Sequence, residues 1–413
     1  MAKTQNRNKA IYCFIKIIIF NRKDNRVKTI CKTIAVKVLL IYAFPAGAQS
    51  KATAHVSIPI KKVRKVQVLK ALHKAAEWQL NLPFVGKPRW NENKMYDWVY
   101  GTFYAGLSDL YKYTREEKYL QEMIALGKST DWEPRPRPYD ANEYAIVQTY
   151  SDVFEVTKDT AMIDKSRFMA KMPLLRYLDI DLRFKDHKHW QDWWSWCDAL
   201  FMAPPAFAKL GRVLNKPEFH KYMSEHWWKT SEYLYSKNDS LYYRDDTFFD
   251  QKTKNGKNVF WSRGNGWVMG GLCRVLDEIP ESFEARKKFE QQFVEMAYKI
   301  ASLQTSEGFW PSSLLDAESY PGKESSGTAF YCYALAWGIN NGLLEKDTFY
   351  PIVENAWEFL ISALHPSGKL GYVQQIGDQP GNATYEDEQA YGVGAFLMAG
   401  VELAELLDKE AVR

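Results

Sequence analysis

Between Trp190 and Pro205 the chain reads Trp-Gln-Asp-Trp-Trp-Ser-Trp-Cys-Asp-Ala-Leu-Phe-Met-Ala-Pro-Pro, with four tryptophans in seven residues and Asp198 heading an apolar run. Indole faces are surfaces on which a sugar ring can stack. A carboxyl group packed among them loses water, and desolvation raises its pKa, which suits a general acid working near neutrality. The bland use of such an Asp is to cap a helix N-terminus. Trp193, Trp194 and Trp196 before it, and Pro204-Pro205 after it, weigh towards chemistry.

Two further clusters carry groups of the right type. Trp261-Ser-Arg-Gly-Asn-Gly-Trp267 offers the planar fork of Arg263 for a carboxylate and the face of Trp267 for stacking. A buried arginine satisfying loop carbonyls, with Trp267 in the core, is the equally weighted alternative. Pro138-Tyr-Asp-Ala-Asn-Glu-Tyr144 adds Asp140 and Glu143, for which capping is the ordinary role. His187 and His189 stand in a charged loop without a further histidine or cysteine cluster, so no metal site is expected. No phosphate loop, dinucleotide fingerprint or nucleophile elbow is present, and no cofactor is expected.

Charge separates the N-terminus from the rest. Residues 1–48 hold ten Lys and Arg against Asp24 alone, a balance of +9; the whole chain is +5, leaving −4 for residues 49–413. A nucleic-acid partner is not expected on that balance. The apolar run Ile34–Phe44 and then Ala46-Gly47-Ala48 fit a secretory signal with cleavage near Gln49. The expectation is export to the periplasm with no lasting membrane insertion, since the apolar run is short for a bilayer span. Cys197, Cys273 and Cys332 remain after residue 48, odd in number and widely spaced, and read as buried apolar fillers.

The elements that must hold these clusters follow a repeated plan. After a lead-in over residues 49–62, Val63 to Leu80 reads as an amphipathic helix. Segments apolar nearly all round then begin near Tyr96, Glu143, Trp196, Gly264, Ser326 and Tyr391, alternating with striped helices. Phe289, Phe293, Met296, Ile300 and Leu303 form one such stripe, and Ile352, Ala356, Phe359 and Ala363 another. All-round apolar helices belong inside and striped ones outside. Six alternations predict an all-α, single-domain (α/α)6 barrel over residues 63–413, with an open α-solenoid as the rival. Short hairpins at the barrel mouth are expected from Leu241-Tyr-Tyr243 with Thr247-Phe-Phe249 and from Leu370-Gly-Tyr-Val373.

These motifs, together with Gly308-Phe-Trp-Pro-Ser-Ser-Leu-Leu-Asp316, Glu324-Ser-Ser-Gly-Thr-Ala-Phe330 and Tyr391-Gly-Val-Gly-Ala-Phe-Leu397, resemble glycoside hydrolase family 105, the unsaturated rhamnogalacturonyl and glucuronyl hydrolases related to family 88. The resemblance runs from about Trp98 to Leu407 and implies an (α/α)6 barrel. It also implies removal of a 4,5-unsaturated uronic acid from the non-reducing end of lyase-made oligosaccharides, by hydration of the enol-ether double bond. Asp198 maps to the family's acid and base, Glu143 to its second acid, and Arg263 and Trp267 to substrate-binding positions. Trp194, Tyr144 and Arg244 complete the expected substrate-binding set. The second acid is Glu in an Asn142-Glu143 pair where the family usually has Asp, and Arg244 stands roughly where a family histidine is often found. An endo-acting hydrolase or lyase on the same barrel, and a non-catalytic glycan-binding protein, are the alternatives.

Overall fold

The computed structural model describes residues 63–82, 97–176, 181–184 and 193–411. The expected signal and lead-in, His187, His189 and Trp190 lie outside the described residues. Residues Lys62–Arg413 make one unit by their internal contacts.

Six helices are buried nearly all round: α2 (Trp98–Thr114), α4 (Val147–Thr157), α7 (Pro204–Val213), α9 (Ser262–Glu278), α11 (Ser325–Asn340) and α13 (Ala390–Ala411). Six others bury one stripe: α1 (Lys65–Leu80), α3 (Glu117–Ser129), α5 (Asp164–Leu175), α8 (Pro217–Leu234), α10 (Arg286–Ala301) and α12 (Lys346–Ala363). The short α6 (Ala199–Met202) leads into α7, where Pro204 and Pro205 take the first helical positions. Each inner helix packs on the next, and α13 packs back on α2. That closure makes the molecule an (α/α)6 barrel rather than an open solenoid.

Closure depends on small residues. A Cβ on Gly106 would lie 2.3 Å from the Gly394 carbonyl oxygen, and one on Gly394 would lie 2.4 Å from that of Thr102. The backbones of α2 and α13 therefore touch where the ring shuts. α13 is long and apolar enough to cross a membrane, but 89% of its apolar window is buried in the barrel.

One expected hairpin has a different register. Leu241–Tyr242 pairs antiparallel with Tyr235–Ser236 at the end of α8, not with residues 247–249. The Asp245 carboxylate accepts a hydrogen bond from the Thr247 amide at 2.8 Å and turns Asp246–Phe248 into a 3-10 turn. At the other expected hairpin Leu370 bridges Leu364 across Gly368, whose φ is +106°.

Charged groups buried between the inner helices pair with one another. Lys209 of α7 pairs with Asp152 of α4 and, at 3.1 Å, with Glu278 of α9. Lys112 of α2 reaches Asp152 at 2.8 Å, and Arg274 of α9 reaches Asp109 at 2.6 Å. Burial alone would raise the Asp152 carboxyl, but Lys112 and Lys209 hold it well below the usual carboxylate range. A cavity of about 60 Å³ lies among these groups. Lys209→Met leaves Asp152 to Lys112 and Glu278 to Arg212 but removes the buried cation between them, so it should lower stability by about 1–3 kcal/mol. Because the Asp152 pKa is depressed in the fold, the lost contribution is one present above pH ~4 and absent well below it. Urea unfolding of both proteins at several pH values measures it; equal stability at pH 7 would refute the role.

Candidate active site

The N-terminal ends of the inner helices meet at one rim, where Asp198 stands. It occupies the N-cap position of α6 with helical φ and ψ of −62° and −28°, and its side chain makes no capping hydrogen bond. Three other rim acids do cap. Asp97 accepts from the amides of Val99 and Tyr100 at 2.9 and 3.3 Å, Asp140 from that of Asn142 at 3.0 Å, and Glu324 from those of Ser326 and Gly327. Asp198 is thus a 9% exposed carboxyl group with no structural hydrogen bond to the helix it heads. Its contacts are the Cys197 thiol, which donates to Oδ2 at 3.5 Å, and the Arg244 guanidinium, with Nε 3.8 Å from Oδ2. Burial raises its pKa; the positive fields of Arg244 and Arg263 pull it back. A group so balanced can give up a proton and take one back.

Glu143 lies on the 3-10 turn Ala141–Tyr144, which packs against α6 and brings it to the same rim. It is fully buried, paired with Arg137 and 3.5 Å from Arg135, and Arg137 also holds Asp140 at 2.8 Å. Burial raises its pKa while the two arginines oppose the rise. Asp97 adds a like charge to Glu143 and faces Arg135, so this edge of the site has two carboxyl groups sharing one guanidinium. Asp97, Arg135 and Arg137 were not singled out from the sequence. An Asp one residue before an apolar run reads as a cap, which Asp97 also is.

Arg263 is placed at the site but is occupied by the protein. Its guanidinium donates to the Gln374 carbonyl at 2.6 Å, the Tyr391 hydroxyl at 2.9 Å and the Gln375 carbonyl at 3.1 Å, and lies against the rings of Trp261 and Tyr391. Trp261 Nε1 donates to the Gln374 side chain at 2.9 Å. Together they fix the 374–377 loop over the start of α9. Asn265, in the same motif, uses its amide like a strand edge. Its Oδ1 accepts from the Tyr242 amide at 2.8 Å and its Nδ2 donates to the Tyr242 carbonyl at 3.0 Å, pinning the segment that carries Arg244.

Four expected substrate-binding side chains lie differently from the expectation. Trp267 is 1% exposed among Trp98, Phe201, Phe330 and Tyr391, so its face is used for packing. Trp194 packs with Phe207, Tyr222 and His226 between α7 and α8 rather than lining the cleft. Trp196 is buried as well. Tyr144 is spent on the Pro138 carbonyl at 2.6 Å and the Phe207 ring. Arg244 is 8% exposed, clamped by Asp245 and laid over the Phe184 ring. Aromatic rings this large gain more from full burial than a rim position leaves them.

Because Arg263 acts through the 374–377 loop, Arg263→Lys keeps the charge and loses the fork. Thermal melting should fall by several degrees and turnover by at least tenfold, since several buried acceptors lose their donors. Unchanged melting with only a raised KM would instead show that Arg263 grips substrate directly.

Comparison with known proteins agrees with this barrel. The family model described as Glycosyl Hydrolase Family 88 matches residues 68–407. An unsaturated 3S-rhamnoglycuronyl hydrolase of Formosa agariphila is 35% identical over 398 residues, covering 91% of this chain and 99% of its own. Among solved structures, a glycosyl hydrolase family 88 protein from Bacteroides vulgatus superposes with a TM-score of 0.73 at 29% identity, over 83% of this chain and 99% of that one. A protein named as a polysaccharide lyase superposes with 0.74 at 30% identity, over 83% and 98%. With the family match spanning every inner helix and the acid-bearing turns between them, the chain belongs to glycosyl hydrolase family 88 and is a glycoside hydrolase.

Proposed function

We propose that the protein removes a 4,5-unsaturated uronic acid from the non-reducing end of an oligosaccharide, with Asp198 as acid and then base. The observation that carries this is the buried, uncapped carboxyl group of Asp198 between two arginines. In the protonated form it delivers its proton to C4 of the enol ether. Water adds at C5 and gives its spare proton to the carboxylate, restoring the acid. The hemiketal so formed opens and the next sugar leaves. One carboxyl group serves both steps, so the fixed separation of the two-carboxylate scheme is not needed. Glu143, held by Arg137 and Arg135, is the second acid at the rim. The name of the Formosa agariphila relative supports rhamnose as the neighbouring sugar to test first.

A lyase reading draws on the structure named a polysaccharide lyase, and one assay separates the two. A hydrolase of this type consumes the conjugated double bond, whereas a lyase creates it. Mixed with an unsaturated uronyl-rhamnose oligosaccharide, the protein should abolish the ultraviolet absorbance of that bond. Asp198→Asn should cut the rate by at least about a thousandfold while leaving the melting temperature near that of the parent, as expected when an acid-base group is removed. Rising absorbance on intact polysaccharide would favour the lyase, and retained activity in the variant would displace Asp198.

Export follows from the N-terminal pattern alone. The basic segment, the apolar run Ile34–Phe44 and Ala46-Gly47-Ala48 support secretion across the inner membrane to the periplasm. Mass spectrometry of the protein recovered from the periplasmic fraction should find an N-terminus near Gln49; an intact N-terminus in the cytoplasm would refute export.

A further inference from the structure

Arg244, expected to meet substrate, is held by protein groups among the described residues. Its side chain is bound by the Asp245 carboxylate at 2.6 Å on one side and lies 4.7 Å over the Phe184 ring on another. Its Nε is 3.8 Å from Asp198 Oδ2. Its backbone is tied to the same place, because the Arg244 carbonyl accepts from the Cys197 amide at 2.8 Å, one residue before the acid. Asn265 holds Tyr242 two residues upstream, so the arginine arrives on a braced segment. Room for the Cys197 side chain comes from Gly264, where a Cβ would lie 2.9 Å from the sulfur. Asp198, Cys197 and Arg244 therefore form one keyed unit, and no part of it could slide without breaking another.

We infer that Arg244, oriented by Asp245, is a positioning residue that acts through Asp198, setting the pH at which the acid loses its proton. The inference rests on the reading of Asp198 as the acid. Its physical basis is Coulombic and has a definite sign. A guanidinium within 4 Å stabilises the carboxylate form of Asp198, and a second carboxylate on the far side of that guanidinium weakens the effect. Among the described residues, the charged or titratable groups facing Asp198 are Arg244 with Asp245 from the segment after the hairpin, Arg263 from α9 and Cys197 beside it. Of these, Arg263 is engaged by the 374–377 loop and the Cys197 thiol is pushed far up by burial, so it stays neutral. The Glu143 side chain, on the turn packed against α6, is matched by Arg137 and Arg135. Arg244 with Asp245 is then the adjustable couple.

Two substitutions must move the profile in opposite directions. Asp198 works as an acid in the first step, so its ionisation appears as the alkaline limb of kcat. Arg244→Met removes the cation and should move that limb up by about one pH unit or more. Asp245→Asn keeps an acceptor for the Thr247 amide but frees the full charge of Arg244, and should move the limb down. Arg244→Lys should return it most of the way, and KM should change less than twofold throughout. A limb that stays in place in Arg244→Met while KM rises would overturn the inference and make Arg244 a substrate ligand. If Arg244→Met does not fold, Asp245→Asn and Arg244→Lys decide alone, and an upward or absent shift in Asp245→Asn overturns it. Asp198→Asn run beside them separates the two levels. Full turnover there means that the acid itself is wrongly assigned, whereas an inactive Asp198→Asn with unmoved limbs elsewhere means only that the coupling is.

Discussion

Helices buried on every side need a partner for each charged group that they carry. Six such helices form the inner ring, and this single constraint arranges the rest of the molecule. Between these helices the charges pair among themselves, with Lys209, Asp152 and Glu278 joining three helices through buried ion pairs. At the N-terminal ends most acids are consumed by the free amides that every helix start leaves. Asp97, Asp140 and Glu324 answer that demand. Asp198 makes no capping bond, and its carboxyl group faces Arg244 instead.

The electrostatics of the rim follow from the same burial. Desolvation raises the carboxyl groups of Asp198, Glu143 and Asp97 alike, but each has a different counterweight. Glu143 is gripped by two arginines and Asp97 by backbone amides, while Asp198 has one guanidinium at the edge of ion-pair distance and another acting at longer range. Three acids of similar type on one rim are thereby given separate tasks by their neighbours. Trp267, Trp194 and Trp196 are buried in packing, and Trp261 and Arg263 brace the 374–377 loop.

Much of this was legible before any coordinates. The six all-round apolar segments begin within a few residues of the inner helices, and the stripe from Phe289 to Ile300 is the buried face of α10. Periods of that kind are local, and hydrophobic burial enforces them wherever the chain goes. The position of Asp198 at a helix start was legible too, because it stands between a tryptophan cluster and an apolar run. The hairpin register was not, since Leu241 and Tyr242 could pair on either side and the Asp245 turn decided it.

The helical alternation and the place of Asp198 at a helix start are read from short windows of the chain, since each depends on local composition. Whether the ring closes was decided by contact between α13 and α2, nearly 300 residues apart, at a crossing that Gly106 and Gly394 permit. Which tryptophans are buried and which arginine is a brace was also tertiary. Stacking and ion pairing depend on what stands opposite, and for Trp267, Arg263 and Arg244 those partners come from distant helices and loops. The same residue types could have faced a sugar; the partners that surround them turned them inwards, and left Asp198 with its unspent carboxyl group.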